Sequence, residues 1–181
     1  SRLIATDVCD ASLDNCMHNV RTNGCADRVS VARWDIGNSR GLPASAHDAT
    51  HVIGADVVYS GAAGEQLVNA LAHMLAERPH LHVFVLLVDR FSGGGFAGVR
   101  AAAGVPDVSV VPPPLLDPEI ERFEACASTA GLELRHELIN EEMLASARRS
   151  QTWSERAQWW LLGHWDGMRL YRVLPATSPG S

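Results

Sequence analysis

The chain has 181 residues, 46% of them hydrophobic, and a formal net charge of −6. That length and apolar content suit one domain with a real core and are too small for two comfortable ones. No apolar run reaches bilayer length, no leader pattern marks secretion, and the acids are spread with no basic stripe among them, so neither a membrane nor nucleic acid is expected as a partner.

The chain reads first as a strand, Arg2 to Thr6, ending at Asp7. A helix follows from about Ala11 to Asn23, with Leu13, Cys16, Met17 and Val20 on one face and Gly24 as its left-handed stop. A second strand, Val29 to Trp34, leads into Asp35 and a polar loop that lasts to Thr50. The third is the run His51 to Tyr59, broken only by Gly54 and Asp56, and its apolar continuity predicts a strand covered on both faces. A helix from about Gly64 to Arg78 turns Leu67, Leu71 and Leu75 inward, and Leu81 to Val88 forms a fourth strand.

After Asp89 the pattern loosens through Arg90 and the glycines at 93–98 to three prolines at 112–114. Asp117 as N-cap and Pro118 at the first helical position open a helix to about Ala130, stopped by Gly131. Leu132 to Ile139 is a further strand, and the charges at 141–149 suit a short helix. Trp153, Trp159, Trp160 and Trp165 follow, read as packing residues with substrate recognition as the alternative. Met168 to Leu174 is the last strand, antiparallel to its predecessor, and a disordered tail is expected from Pro175. Strands alternating with helices predict a single α/β domain over residues 1–174, with a doubly wound, mostly parallel, Rossmann-like sheet and an antiparallel last strand.

The chemistry is read from the acids. Asp7, Asp35 and Asp56 each stand at the carboxyl end of an apolar strand, and such a fold gathers those ends on one edge. A carboxylate there can accept two hydrogen bonds from a vicinal diol, so a nucleoside pocket is the economical hypothesis. Helix capping and loop solvation explain each acid singly but not their shared location. Cys9, Cys16, Cys25 and Cys126 include no Cys-x-x-Cys pair and no histidine at zinc spacing. They read as reduced thiols of a cytoplasmic protein without a metal.

The order Ala5-Thr6-Asp7, then Asn15 to Asn23 with its Asn-Val-x-x-Asn ending, then Val31 to Asp35, then Ala55 to Tyr59, resembles the seven-strand S-adenosylmethionine methyltransferases that modify lysine in proteins. The matching motifs cover roughly the first third of the chain, and the alternation of elements fits over the rest. The resemblance implies S-adenosylmethionine as cofactor, with Asp7 on the adenosyl ribose and with Trp34, Asp35 and Ala55 completing the cofactor site. It implies a protein lysine as acceptor, with Asp56 and Tyr59 bordering the methyl-transfer site. Arg90, at the end of the fourth strand, is a candidate for positioning substrate.

Two departures stand out. Ser60-Gly61 follows Tyr59 where the family often has Asp-Pro. The chain also begins at the family's second strand, so the resemblance implies a domain incomplete at its amino end, lacking the first strand and its glycine loop. That strand would lie between the one ending at Asp7 and the one ending at Asp56. Two other readings stand beside the enzyme: a non-catalytic binding module, and a dinucleotide-binding oxidoreductase using Gly93-x-Gly95-x-x-Gly98. Four residues separate the fourth strand from those glycines and prolines follow them, so a loop is the better reading of that match.

Overall fold

The computed structural model describes residues 2–38, 41–58, 62–88, 117–137 and 168–176. Its elements are β1 (Leu3–Asp7), α1 (Asp10–Thr22), β2 (Val29–Arg33), β3 (His51–Ala55), α2 (Ala63–Glu77), β4 (His82–Val88), α3 (Pro118–Thr129), β5 (Leu132–Glu137) and β6 (Met168–Pro175), with a 3-10 turn at Ala44–Ala46 between β2 and β3. No helix among the described residues is long and apolar enough to cross a membrane.

Local signals act as their chemistry requires. Gly24 and Gly131 follow α1 and α3 at φ +61° and +70°, a left-handed backbone that costs glycine little. Asp117 accepts a hydrogen bond from the Glu119 N–H at 2.9 Å, capping α3 with Pro118 in its first turn. The helix predicted near 141–149, the tryptophan cluster and the glycines at 93–98 lie outside the described residues.

The strands form two sheets. β1 pairs in parallel with β2, from Leu3 opposite Val29 to Asp7 opposite Arg33. The second sheet has the order β3-β4-β6-β5, with β3 and β4 parallel and β6 antiparallel to both its neighbours. The antiparallel last strand is as expected: β3, β4 and β5 run the same way and β6 alone is reversed, although the sheet is divided in two among the described residues. Because β6 sits between β4 and β5, one reversed strand creates two antiparallel ladders.

The core lies in the larger sheet. Alternate residues of β4, Val83, Val85 and Leu87, turn toward helices, where they meet Leu71 and Met74 of α2 and Ile120 and Phe123 of α3. Tyr171 of β6 closes this layer, its ring 6.0 Å from Phe123, and its hydroxyl donates to Glu124 Oε1 at 2.5 Å. Burial, reinforced by that hydrogen bond, pushes the Tyr171 phenol up to about 12.

The expectation that β3 is covered on both faces is not met, since Ile53 is 74% exposed. Among the described residues β3 has a strand neighbour on one side only. The strand is also shorter than the run that predicted it, because Asp56 adopts φ +52° and turns the chain out of extended geometry after Ala55.

Candidate functional site

The carboxyl ends of β1, β2 and β3 open on one cleft of about 340 Å³, roofed on one side by α2. That volume lies within the range of small-molecule sites. Asp7, Trp34, Asp35, Ala55 and Asp56 all line it. The three acids thus share one cleft, and Trp34 and Ala55, which the family resemblance implied, lie in it with them. Tyr59 and Arg90 lie outside the described residues.

Each acid is held by its own turn. The Asp7 Oδ1 accepts the Cys9 N–H at 2.8 Å, fixing the carboxylate at the mouth of α1. The Trp34 N–H donates to the Asp7 carbonyl at 3.0 Å, so the parallel ladder itself brings the tryptophan beside the first acid. Asp35 accepts the Gly37 N–H at 2.9 Å, an Asx turn that leads the chain away from β2. A Cβ at Gly37 would stand 3.1 Å from Gln66 Nε2 and 3.2 Å from Asp35 Oδ1. Gly37 thus leaves room beside its backbone for both the Asp35 carboxylate and the Gln66 carboxamide.

Asp56 is the one non-glycine residue among those described with a positive φ. Its N–H donates to Leu86 O at 2.8 Å, so the β3–β4 ladder continues through the turn. Aspartate tolerates this backbone better than bulkier residues, and non-glycine residues in it cluster at functional sites. The Trp34 Nε1 is buried with no hydrogen-bond partner among the described residues, an uncommon state for an indole donor.

Beside the acids, Cys9 is exposed and its thiol is held below the ordinary value, first by the Ser12 backbone N–H, then by the Ser12 hydroxyl and the Ala11 N–H at the start of α1. Among the described residues no group of His, Cys, Asp and Glu is arranged to hold a metal ion. Sequence reasoning missed Gln66. Its signal was a polar residue in the first turn of an apolar helix, where a helix that follows a strand's carboxyl end faces the sheet edge.

No family model matches the chain, and no curated protein is similar to it in sequence. Solved structures do share its architecture. RosA from Streptomyces davawensis, an N,N-8-amino-8-demethyl-D-riboflavin dimethyltransferase, superposes with a TM-score of 0.51 at 12% identity over 98% of this chain and 43% of its own. PKMT2 from Rickettsia typhi, solved in complex with AdoHcy, does so with a TM-score of 0.51 at 9% identity, over 99% of this chain and 45% of its own. The chain has the fold of these two proteins. The [4+2]-cyclase SpnF is also similar, with a TM-score of 0.52 at 14% identity over 97% of this chain and 68% of its own. A fold with these members does not by itself name a reaction.

Proposed function

We propose that the chain is the catalytic domain of an S-adenosylmethionine-dependent methyltransferase and that its acceptor is a lysine side chain of a protein. One observation carries the reading: Asp7, Trp34, Asp35 and Asp56, drawn from three strand ends, line a single cleft. Their chemistry suits the cofactor. A carboxylate at the end of β1 accepts from the vicinal hydroxyls of a ribose, and an aromatic side chain with a carboxylate beside it suits a purine. When bound, the cofactor supplies an activated methyl group on sulfonium.

The protein's part is alignment and proton control. A protonated lysine has no lone pair, so the site must receive the amine neutral, and the apolar side of the cleft, Leu67, Leu71 and Met74, disfavours the charged form by excluding water. Asp56, held at the rim by its left-handed turn, accepts a hydrogen bond from the amine and directs its lone pair into the cleft. Tyr59, three residues on in the sequence, is its proposed companion. Rate comes mainly from this orientation, because displacement at a methyl carbon needs attacking and leaving atoms in line.

The test is methyl transfer from labelled S-adenosylmethionine by the polypeptide as its gene encodes it, offered lysine-bearing proteins, tRNA and small amines in parallel. Label recovered as methyl-lysine supports the reading. Label confined to tRNA or to small amines overturns the acceptor, and no transfer to any of them overturns the enzyme. A further check separates roles: Asp56→Asn and Tyr59→Phe are expected to reduce transfer more than they reduce cofactor binding.

A further inference from the structure

The side chains of the cleft offer many acceptors and few donors. Of the described polar side chains that line it, Asp7, Asp35 and Asp56 are carboxylates, which only accept, and the Trp34 indole N–H is buried. That leaves the Thr6 hydroxyl, next to Asp7 in β1, and the Gln66 carboxamide of α2. Gln66 is exposed, and among the described residues its carboxamide has no hydrogen-bond partner.

The fold holds Gln66 in place. Its N–H donates to Ala62 O at 3.0 Å in the first turn of α2. Gly64 lets that turn sit close on the core, since a Cβ there would stand 3.4 Å from Val58 Cγ1 and 3.5 Å from Phe123 Cβ. Leu67 and Val68, which follow Gln66, are buried in that core, so the helix cannot rotate to carry Gln66 away from the cleft. The point where a Cβ of Gly37 would stand lies 3.1 Å from Gln66 Nε2 and 3.2 Å from Asp35 Oδ1. The carboxamide therefore belongs to the part of the cleft where Trp34 and Asp35 stand, the pair proposed above for the purine.

Asp35 alone serves an adenine ring incompletely. Its Oδ1 already accepts the Gly37 N–H at 2.9 Å, and a carboxylate has no proton to offer a ring nitrogen. The exocyclic amine of adenine is a donor flanked by ring nitrogens that accept, so a complementary partner carries an acceptor and a donor side by side. A carboxamide does, and this is the pairing by which glutamine reads adenine in nucleic acids. A 6-oxo purine presents two acceptors on the corresponding edge, which one carboxamide cannot match at both of its ends. Resting on the proposed cofactor, we propose that Gln66 is a specificity-determining residue: its Oε1 accepts from the adenine amine and its Nε2 donates to the adjacent ring nitrogen, so that the cleft selects adenine over 6-oxo purines.

Calorimetric titration of S-adenosylhomocysteine and S-inosylhomocysteine, which differ only at the purine edge, tests the proposal on the polypeptide as its gene encodes it and on its Gln66→Ala variant. Alanine favours the helix, so α2 is kept. The substitution is expected to cut the preference for the adenosine ligand about tenfold by weakening that ligand alone, with the inosine ligand held within about twofold. Gln66→Glu, which keeps the length of the side chain and loses the donor, should cut the preference as well. A preference that Gln66→Ala leaves unchanged, whether or not both ligands weaken together, overturns the inference and leaves the methyl-transfer reading standing. Binding of neither ligand to the unaltered protein overturns both.

Discussion

Around β4 and β6 the side chains vanish from solvent: Val83 and Val173 are fully buried, and α2 and α3 cover them. Around β1 and β2 no residue is fully buried, and α1 buries only Leu13. Yet two of the three acids in the cleft come from the poorly buried side. Burial supplies stability, whereas a solvated carboxylate at a strand end costs little to place and stays available to a ligand. The larger sheet is therefore the platform, and the smaller one brings polar groups to its edge.

The comparison is sharpened first by removing core volume on each side. Phe123→Ala is expected to cost about 3 to 5 kcal/mol in urea unfolding, because its ring is enclosed by α2, α3 and β6. Leu13→Ala should cost no more than about 2 kcal/mol, since its surroundings are open and relax. Equal losses would mean that α1 and its sheet have a core of their own.

A second test uses pH. The Tyr171 phenol is raised from its ordinary value of 10.0 to about 12 in the folded protein. A group raised in this way contributes stability below its unfolded value, and the contribution is lost as pH rises through the folded one. Stability should therefore fall by about 2 kcal/mol between pH 10 and 12, and Tyr171→Phe should remove most of that dependence. A slope unchanged in the variant would show that other groups cause the loss.

A smaller effect separates strain from structure at Asp56. Replacing it by glycine relieves the left-handed backbone, so Asp56→Gly should keep or raise the melting free energy by up to about 1 kcal/mol while methyl transfer falls. If stability drops instead, the aspartate is a turn cap and its proposed role at the amine is lost.

Much of the fold was legible because its signals are local. Gly24, Gly131 and Asp117 act at their own positions, and an apolar run such as 82–88 predicts a strand without reference to anything distant. The gathering of Asp7, Asp35 and Asp56 on one cleft followed from the rule for strand ends, whereas Trp34 and Ala55 were named only through the family resemblance. What escaped depends on long-range choices. The insertion of β6 between β4 and β5 is a matter of pairing across the chain, and the exposure of Ile53 depends on what packs over that face of β3 from elsewhere in the chain. The early end of β3 escaped for another reason: aspartate carries no obligatory signal for a left-handed turn, as glycine would. Gln66 became visible only when α2 was seen to bring it into the cleft that Asp35 also lines.

The central claim is that the acid at the end of β1 grips a ribose in this cleft. Calorimetric titration of S-adenosylmethionine into the polypeptide as its gene encodes it, beside its Asp7→Ala variant, tests that most directly. The account predicts binding weakened by about 1 to 3 kcal/mol with the fold intact by circular dichroism, because the ribose hydroxyls lose their acceptor. Equal affinity in the two proteins, or no binding to either, would contradict it.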